Sequence, residues 1–134
     1  MRLAGVAVAV ALLAAGCARL ESSSSGERAA AAPAKLVIEV SPGAGPDRIW
    51  TLSCTPPAGT LPRRAQACAR LARLSDPFAP TPTNVACSEV YGGPQVGQVR
   101  GTFRGRRVRA SFNRTNGCEI ARWNRVAFLF PSAP

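Results

Sequence analysis

The ionisable side chains of the chain set narrow limits on the chemistry that it can perform. The sequence contains no histidine, which excludes Ser-His-Asp and Cys-His catalysis and histidine-bound zinc or haem. Acid–base catalysis would fall to carboxylates, and a hydrolase of that kind needs two of them to converge. Nothing in the spacing of the acids after residue 34 indicates convergence: they are Glu39, Asp47, Asp76, Glu89 and Glu119. We therefore expect a protein that is not an enzyme and that uses no cofactor.

The cysteines form the second group of reactive side chains. Five occur in 134 residues, a density typical of exported proteins that form disulfides. Cys17 closes an apolar run at the N-terminus, so four remain for a folded domain: Cys54, Cys68, Cys87 and Cys118. They include no C-x-x-C pair and have no histidine beside them, which argues against a metal site. We expect two disulfides, and the spacing alone leaves three pairings open.

One segment has the form of a protease substrate. Residues 87–91 (Cys-Ser-Glu-Val-Tyr) lie between a proline-rich stretch at residues 77–84 and the sequence Gly-Gly-Pro at residues 92–94. So many prolines and glycines are incompatible with a helix, and an irregular segment must face solvent to satisfy its backbone. A protease accepts an exposed, extended and covalently fixed segment of this kind in its cleft. Residues 87–91 are therefore the candidate binding loop.

The rest of the domain predicts an α+β fold that positions this loop. Apolar alternation and β-branched residues predict five strands, at residues 36–40, 49–54, 95–103, 106–112 and 126–130. Residues 62–74 begin with a proline and predict the one clear helix. Arg104-Gly105 fits a two-residue hairpin turn, with Gly105 at positive φ. Because the strands mostly neighbour one another in sequence, we expect an antiparallel sheet.

The first 34 residues differ in composition from this domain. Residues 3–15 are apolar or small, follow Met1-Arg2 and fit a secretory signal peptide rather than a permanent membrane span. They run into Leu-Ala-Ala-Gly-Cys17, which resembles the lipobox of bacterial lipoproteins, in which the cysteine is lipidated. The alternative is an ordinary signal peptide cut near Ala18. Runs of serine and alanine at residues 18–34 predict a flexible tether, so we expect three segments: 1–17, 18–34 and the domain at 35–134.

The charge of the chain is strongly positive. Lys+Arg number 17 and Asp+Glu number 7, which gives a formal charge of +10. Five of the arginines cluster around the predicted hairpin: Arg100, Arg104, Arg106, Arg107 and Arg109. Few aromatic residues accompany them, so we expect no nucleic acid partner. A basic strand face indicates instead attraction to anionic polymers or lipid headgroups at a cell surface.

Several short motifs follow one another in a fixed order between residues 35 and 130. They are Leu52-x-Cys54-x-Pro56, Gly59-Thr60-x-Pro62, Ala67-Cys68-x-x-Leu71, Val85-x-Cys87-x-x-Val90-Tyr91, Gly101-x-Phe103-x-Gly105-x-Arg107-Val108, Asn116-x-Cys118-Glu119 and Val126-x-Phe128-x-Phe130. With the four-cysteine frame, this order resembles the subtilisin inhibitor-like proteins of the Streptomyces type. The resemblance implies a five-stranded antiparallel sheet with two helices on one face and a homodimer through the sheet.

The resemblance also implies a role for each residue of the candidate loop. It places the reactive peptide bond between Glu89, which would fill the primary specificity pocket of a protease (P1), and Val90 (P1′). Cys87, Ser88 and Tyr91 complete the binding loop. Serine at P2 replaces the proline that is common in the family, and two glycines follow Tyr91 where Asp-Pro is usual, so we expect a less rigid loop.

The disulfide pairing and the loop support follow from the same resemblance. It implies that Cys54 pairs with Cys68 and that Cys87 pairs with Cys118, while Asn116 braces the loop by hydrogen bonds. The implied function is inhibition of a serine endopeptidase, either subtilisin-like or glutamate-specific. The inhibitor would lie on the outer face of a bacterial membrane through a lipid anchor, or be secreted if Cys17 is removed. The alternatives are a basic cell-surface binding module of the same fold and an envelope lipoprotein without protease contact.

Overall fold

The computed structural model describes residues 32–131, which form one sheet and two helices. The strands are β1 (Ala34–Ser41), β2 (Arg48–Cys54), β3 (Pro57–Gly59), β4 (Gly93–Phe103) and β5 (Arg106–Arg114). The helices are α1 (Arg64–Arg73) and α2 (Gly117–Val126), and a short 3-10 helix follows at Ala127–Leu129. The predicted α+β class is confirmed.

The sheet is antiparallel throughout, and its strand order is β3-β2-β1-β4-β5. β1 lies in the centre, where Leu36 faces Leu52 of β2 on one side and Gly101 of β4 on the other. β4 and β5 form the predicted hairpin, and the two turn residues Arg104 and Gly105 have φ angles of 49° and 75°. A tight turn with positive φ at both central residues matches the right-handed twist of the strands.

Both helices cover the same face of the sheet. Along β1, buried and exposed residues alternate, so that Leu36, Ile38 and Val40 face the helices. α1 contributes Leu71 to this core and α2 contributes Trp123. Burial of these apolar side chains is the main favourable term in folding. The opposite face of the sheet faces solvent and carries much of the basic charge.

The prediction of a fifth strand at residues 126–130 is wrong. Val126 ends α2, and Leu129 and Phe130 follow in or directly after the 3-10 helix. All three are buried, so the spacing of these apolar residues is helical and only mimics strand alternation. The fifth strand is instead β3, whose Pro57 is tolerated because β3 pairs only with β2 and forms an edge of the sheet.

The folded part begins slightly earlier than the sequence indicated. Ala34 is the first residue of β1, and Ala32 is 4% exposed and belongs to the core. Three residues that the composition placed in the tether therefore belong to the domain. The predicted signal peptide and Cys17 lie outside the described residues. No helix between residues 32 and 131 is long and apolar enough to cross a membrane.

Candidate functional site

The candidate site is the loop at residues 87–91, which has neither helical nor strand structure and precedes β4. Ser88, Glu89, Val90 and Tyr91 are all exposed, and the exposed fractions of Val90 and Tyr91 reach 58% and 64%. Two adjacent apolar side chains left in solvent at one end of the molecule form a surface suited to contact with another protein.

On the N-terminal side of Glu89, the loop is fixed to the start of α2. The Cys87–Cys118 disulfide holds the two Cα atoms 5.3 Å apart. The amide of Gly117 donates a hydrogen bond to the carbonyl oxygen of Ser88 over 2.9 Å. Gly117 approaches so closely that a Cβ atom there would lie 2.1 Å from Ser88 Oγ. One covalent link and one hydrogen bond therefore fix the residue before Glu89.

On the C-terminal side, the loop is fixed to β5. The amide of Gly92 donates to the carbonyl oxygen of Arg114 over 2.7 Å, and Gly93 is the partner of Arg114 in the β4–β5 pair. A Cβ atom would lie 2.9 Å from the side chain of Ile120 if placed on Gly92, and 2.4 Å from Gln95 Oε1 if placed on Gly93. The two glycines that we expected to soften the loop are thus closely packed and form part of its anchored end.

The free span between these anchors is short. Among the residues that the structure describes, none makes a hydrogen bond to the backbone of Glu89, Val90 or Tyr91. Their N–H and C=O groups remain open to pairing with an added chain, which is the way extended peptides are bound along a protease cleft. The loop can therefore offer a strand whose two ends are already in place.

Asn116 supports the loop through the helix. Its side-chain oxygen accepts a 3.0 Å hydrogen bond from the amide of Glu119, which caps the N-terminus of α2. In the described part of the chain, no hydrogen bond joins the Asn116 side chain to residues 87–91. The direct brace that the family resemblance implies is thus replaced by an indirect one, because the capped first turn carries Gly117 and Cys118.

A second support lies before the loop and was not found from the sequence. The hydroxyl of Thr81 donates to Glu119 Oε1, and Arg122 forms an ion pair of 3.3 Å with the same carboxylate. Arg122 Nε also donates to the carbonyl oxygen of Ala79 over 2.7 Å. These contacts tie the proline-rich stretch to α2. Glu119 and Arg122 have the i, i+3 spacing of helix neighbours, but this signal becomes readable only once α2 is recognised.

The remaining reactive groups lie away from the loop. The Cys54–Cys68 disulfide has a Cα–Cα distance of 5.5 Å and joins the end of β2 to α1. Both disulfides have the pairing that the family resemblance implies. Between residues 32 and 131, no group of three His, Cys, Asp or Glu side chains is placed to hold a metal ion.

Comparison with known proteins agrees with this architecture. The family model described as subtilisin inhibitor-like matches residues 32–116. Protease inhibitor SIL-V5 of Streptomyces luteoverticillatus is 33% identical over 109 residues, which cover 74% of this chain and 99% of the relative. The subtilisin inhibitor of Streptomyces violaceus is 31% identical over 126 residues, which cover 87% and 86% of the two chains.

A solved structure is also similar to this chain. It is the crystal structure of Streptomyces caespitosus sermetstatin in complex with Bacillus licheniformis subtilisin, with a TM-score of 0.47 and 26% identity, covering 75% of this chain and 98% of that one. The relatives named above match over nearly their whole length, and the family model spans all five strands and α1. On this evidence, the chain belongs to the subtilisin inhibitor-like family.

Proposed function

We propose that the protein inhibits a serine endopeptidase by presenting residues 87–91 as a substrate-like strand, with Glu89 as P1 and Val90 as P1′. The observation that carries this proposal is the double anchoring of an exposed loop. Ser88 is held by Gly117 at 2.9 Å, and Gly92 is held by the carbonyl oxygen of Arg114 at 2.7 Å. The names of the similar Streptomyces proteins, a protease inhibitor and a subtilisin inhibitor, support the same function.

The anchors explain why the loop resists turnover. A loop that is already extended loses little conformational entropy on entering a cleft, so more of the contact energy appears as affinity. If the protease cuts the bond after Glu89, the disulfide through Cys87 holds one new end. The hydrogen bond at Gly92 and the β4–β5 pairing hold the other. The two ends remain near each other, and religation competes with hydrolysis because it is an intramolecular reaction.

The charge of Glu89 sets the specificity. In an apolar pocket the carboxylate would lose its hydration without gaining a partner, which costs several kcal/mol or forces protonation. In a pocket lined by hydrogen-bond donors or a cation, it would gain charge-assisted hydrogen bonds. The difference between these two cases favours a protease that cleaves after glutamate.

The N-terminal segments place the inhibitor outside the cell. We propose that residues 1–17 direct export, that Cys17 carries the lipid and that the following residues connect it to the domain. Without lipidation the domain would be released into the medium. The protein acts here by occluding an enzyme and performs no catalysis of its own.

Inhibition constants test this function. Wild type, Glu89→Met and Glu89→Gln are compared against one glutamate-specific and one apolar-specific serine protease. We expect wild type to inhibit the glutamate-specific enzyme better, Glu89→Met to reverse the order and Glu89→Gln to weaken only the first interaction. Preferential inhibition of the apolar-specific enzyme by wild type, or constants that neither variant changes, would show that Glu89 is not the P1 residue.

A further inference from the structure

The solvent-facing side of the sheet carries a cluster of cations with little compensation. Lys35, Arg107 and Arg109 are exposed, and within residues 32–131 none of them forms an ion pair. Arg100 lies beside them and has one partner, Glu39, at 3.0 Å. We call Lys35, Arg100, Arg107 and Arg109 the basic face. Its net charge is strongly positive because Glu39 is the only acid paired with it.

The strand register brings these charges together. Arg100 of β4 lies directly opposite Arg109 of β5, and Thr102 lies between Lys35 of β1 and Arg107 of β5. Like charges directly opposite each other destabilise a sheet, so an anion held between them would remove an unfavourable interaction. Arg100, Arg107 and Arg109 line a shallow hollow of about 490 Å³. Guanidinium groups recognise phosphate oxygens by paired hydrogen bonds, and three of them around one hollow suit a phosphate group.

The neighbours of the basic face favour a lipid surface over a nucleic acid. Val37, directly opposite Arg100, is 41% exposed, and Ile49, opposite Glu39, is 64% exposed. Basic and apolar side chains side by side are typical of protein surfaces that bind membranes. All eight aromatic residues lie in the described part of the chain, and Tyr91, in the loop, is the only exposed one. The basic face thus lacks the stacking platforms that single-stranded nucleic acids need.

The basic face and the candidate loop lie at opposite ends of the sheet. The chain enters the sheet beside the hairpin, where Ala34 pairs with Phe103 and the amide of Arg104 donates to Pro33 over 2.8 Å. The loop joins β4 at its other end, Gly93. β4 has 11 residues, and at roughly 3.3 Å per residue it separates the two ends by roughly 35 Å. The loop is also fixed to α2, on the face that the helices cover.

We propose that the basic face binds an anionic phospholipid surface and holds the inhibitory loop away from it. This property goes beyond the proposed inhibition and rests on the sheet alone. The family resemblance implies a homodimer through the sheet, but two copies joined through this face would bring their arginines together. The orientation places the point of chain entry next to the lipid and turns residues 87–91 towards the medium.

Cosedimentation with vesicles tests the proposal. The full chain carrying Cys17→Ser is mixed with vesicles of phosphatidylcholine, alone or with an equal amount of phosphatidylglycerol, so that leader and acyl contributions are subtracted. One variant carries Arg107→Gln and Arg109→Gln. Its control carries Arg63→Gln and Arg64→Gln, which remove the same charge near the start of α1. We expect the first pair to weaken binding to the anionic vesicles by roughly thirtyfold, since each basic side chain near an anionic surface contributes a factor of about five, and the control to change it by less than about twofold.

Three results would overturn the proposal. The first is an equal loss of vesicle binding in both variants, which would reflect net charge alone. The second is tighter binding to long-chain polyphosphate than to vesicles at equal phosphate concentration, which would identify a soluble polyanion as the partner. The third is a dimer in sedimentation that Arg107→Gln and Arg109→Gln dissociate, since the face would then join two copies. Because no protease takes part, vesicle binding can succeed or fail independently of the proposed inhibition.

Discussion

The amide of Gly117 donates a 2.9 Å hydrogen bond to the carbonyl oxygen of Ser88, which joins the proposed P2 residue to the first turn of α2. The disulfide between Cys87 and Cys118 joins the two neighbouring residues in the same direction. Two adjacent links of different kinds hold a residue more firmly than either alone, because each restricts the motions that the other permits. The position of Ser88 therefore follows from the position of α2.

Gly117 should be the position most sensitive to a small side chain. In Gly117→Ala, the new Cβ atom would lie 2.1 Å from Ser88 Oγ, so Ser88 must leave its rotamer or shift. We expect inhibition to weaken about fivefold, from an off-rotamer cost of roughly 1 kcal/mol. The double variant Gly117→Ala with Ser88→Ala should recover most of this loss. The inhibition constants decide it, and a single variant that inhibits like wild type would contradict the proposed contact.

The Cys87–Cys118 disulfide should be needed for inhibition beyond its effect on stability. Replacing both cysteines by alanine should convert the inhibitor into a substrate that is cleaved between Glu89 and Val90, because one new end is released. Mass spectrometry of the mixture with protease follows this directly.

The other disulfide provides the control for this experiment. The separations of 31 residues for Cys87–Cys118 and 14 for Cys54–Cys68 predict similar stability losses, of about 4 and about 3 kcal/mol. Removal of Cys54–Cys68 should leave any folded protein inhibitory. Equal resistance to cleavage in both variants would argue against a role of the disulfide in religation.

Asn116 should act through its helix cap. Asn116→Ala removes the acceptor for the Glu119 amide and should lower the free energy of unfolding by about 1 kcal/mol. Asn116→Asp keeps an oxygen in the same place and should retain both stability and inhibition. Thermal unfolding and inhibition constants are measured together. Strong loss of inhibition in Asn116→Asp would show that the amide nitrogen contacts the loop directly.

Arg122 should contribute more to stability than the other helix arginine. It donates to the carbonyl oxygens of Ala79 and Ser111, and its guanidinium lies 4.1 Å from the ring centre of Phe112. Arg122→Ala should lower the free energy of unfolding by about 2–3 kcal/mol, since buried acceptors lose their partners. Arg122→Lys should recover only part of this, because lysine lacks the planar fork. The exposed Arg125→Ala is the control, and a similar loss of melting temperature there would contradict the assignment.

Four strands were predictable because their two-residue alternation coincides with one buried face. In β5, Val108 and Phe112 are buried while Arg107 and Arg109 are exposed, as the pattern required. α2 was found only through the family resemblance, although Asn116 followed by Glu119 three residues later is close to a capping box. β3 could not be predicted, because its three residues become a strand only by pairing with β2.

The candidate loop was predictable in position but not in its supports. Prolines and glycines around residues 87–91 indicate an exposed segment, and the cysteine indicates covalent attachment. The contacts that fix the loop come from backbone groups of Gly117 and Arg114, and backbone groups are the same in every sequence. Only the fold places them within reach of Ser88 and Gly92.

The two edge strands of the sheet differ in the way they avoid pairing with a second molecule. An unpaired edge offers free N–H and C=O groups to any other strand, and long apolar edges promote aggregation. At one edge, β3 has only three residues and includes Pro57, so it offers almost no ladder to extend. At the other, the nine residues of β5 form a long edge, and Arg106, Arg107 and Arg109 make its approach to a like strand repulsive. The arginines of the hairpin therefore keep the exported domain from polymerising through its own sheet.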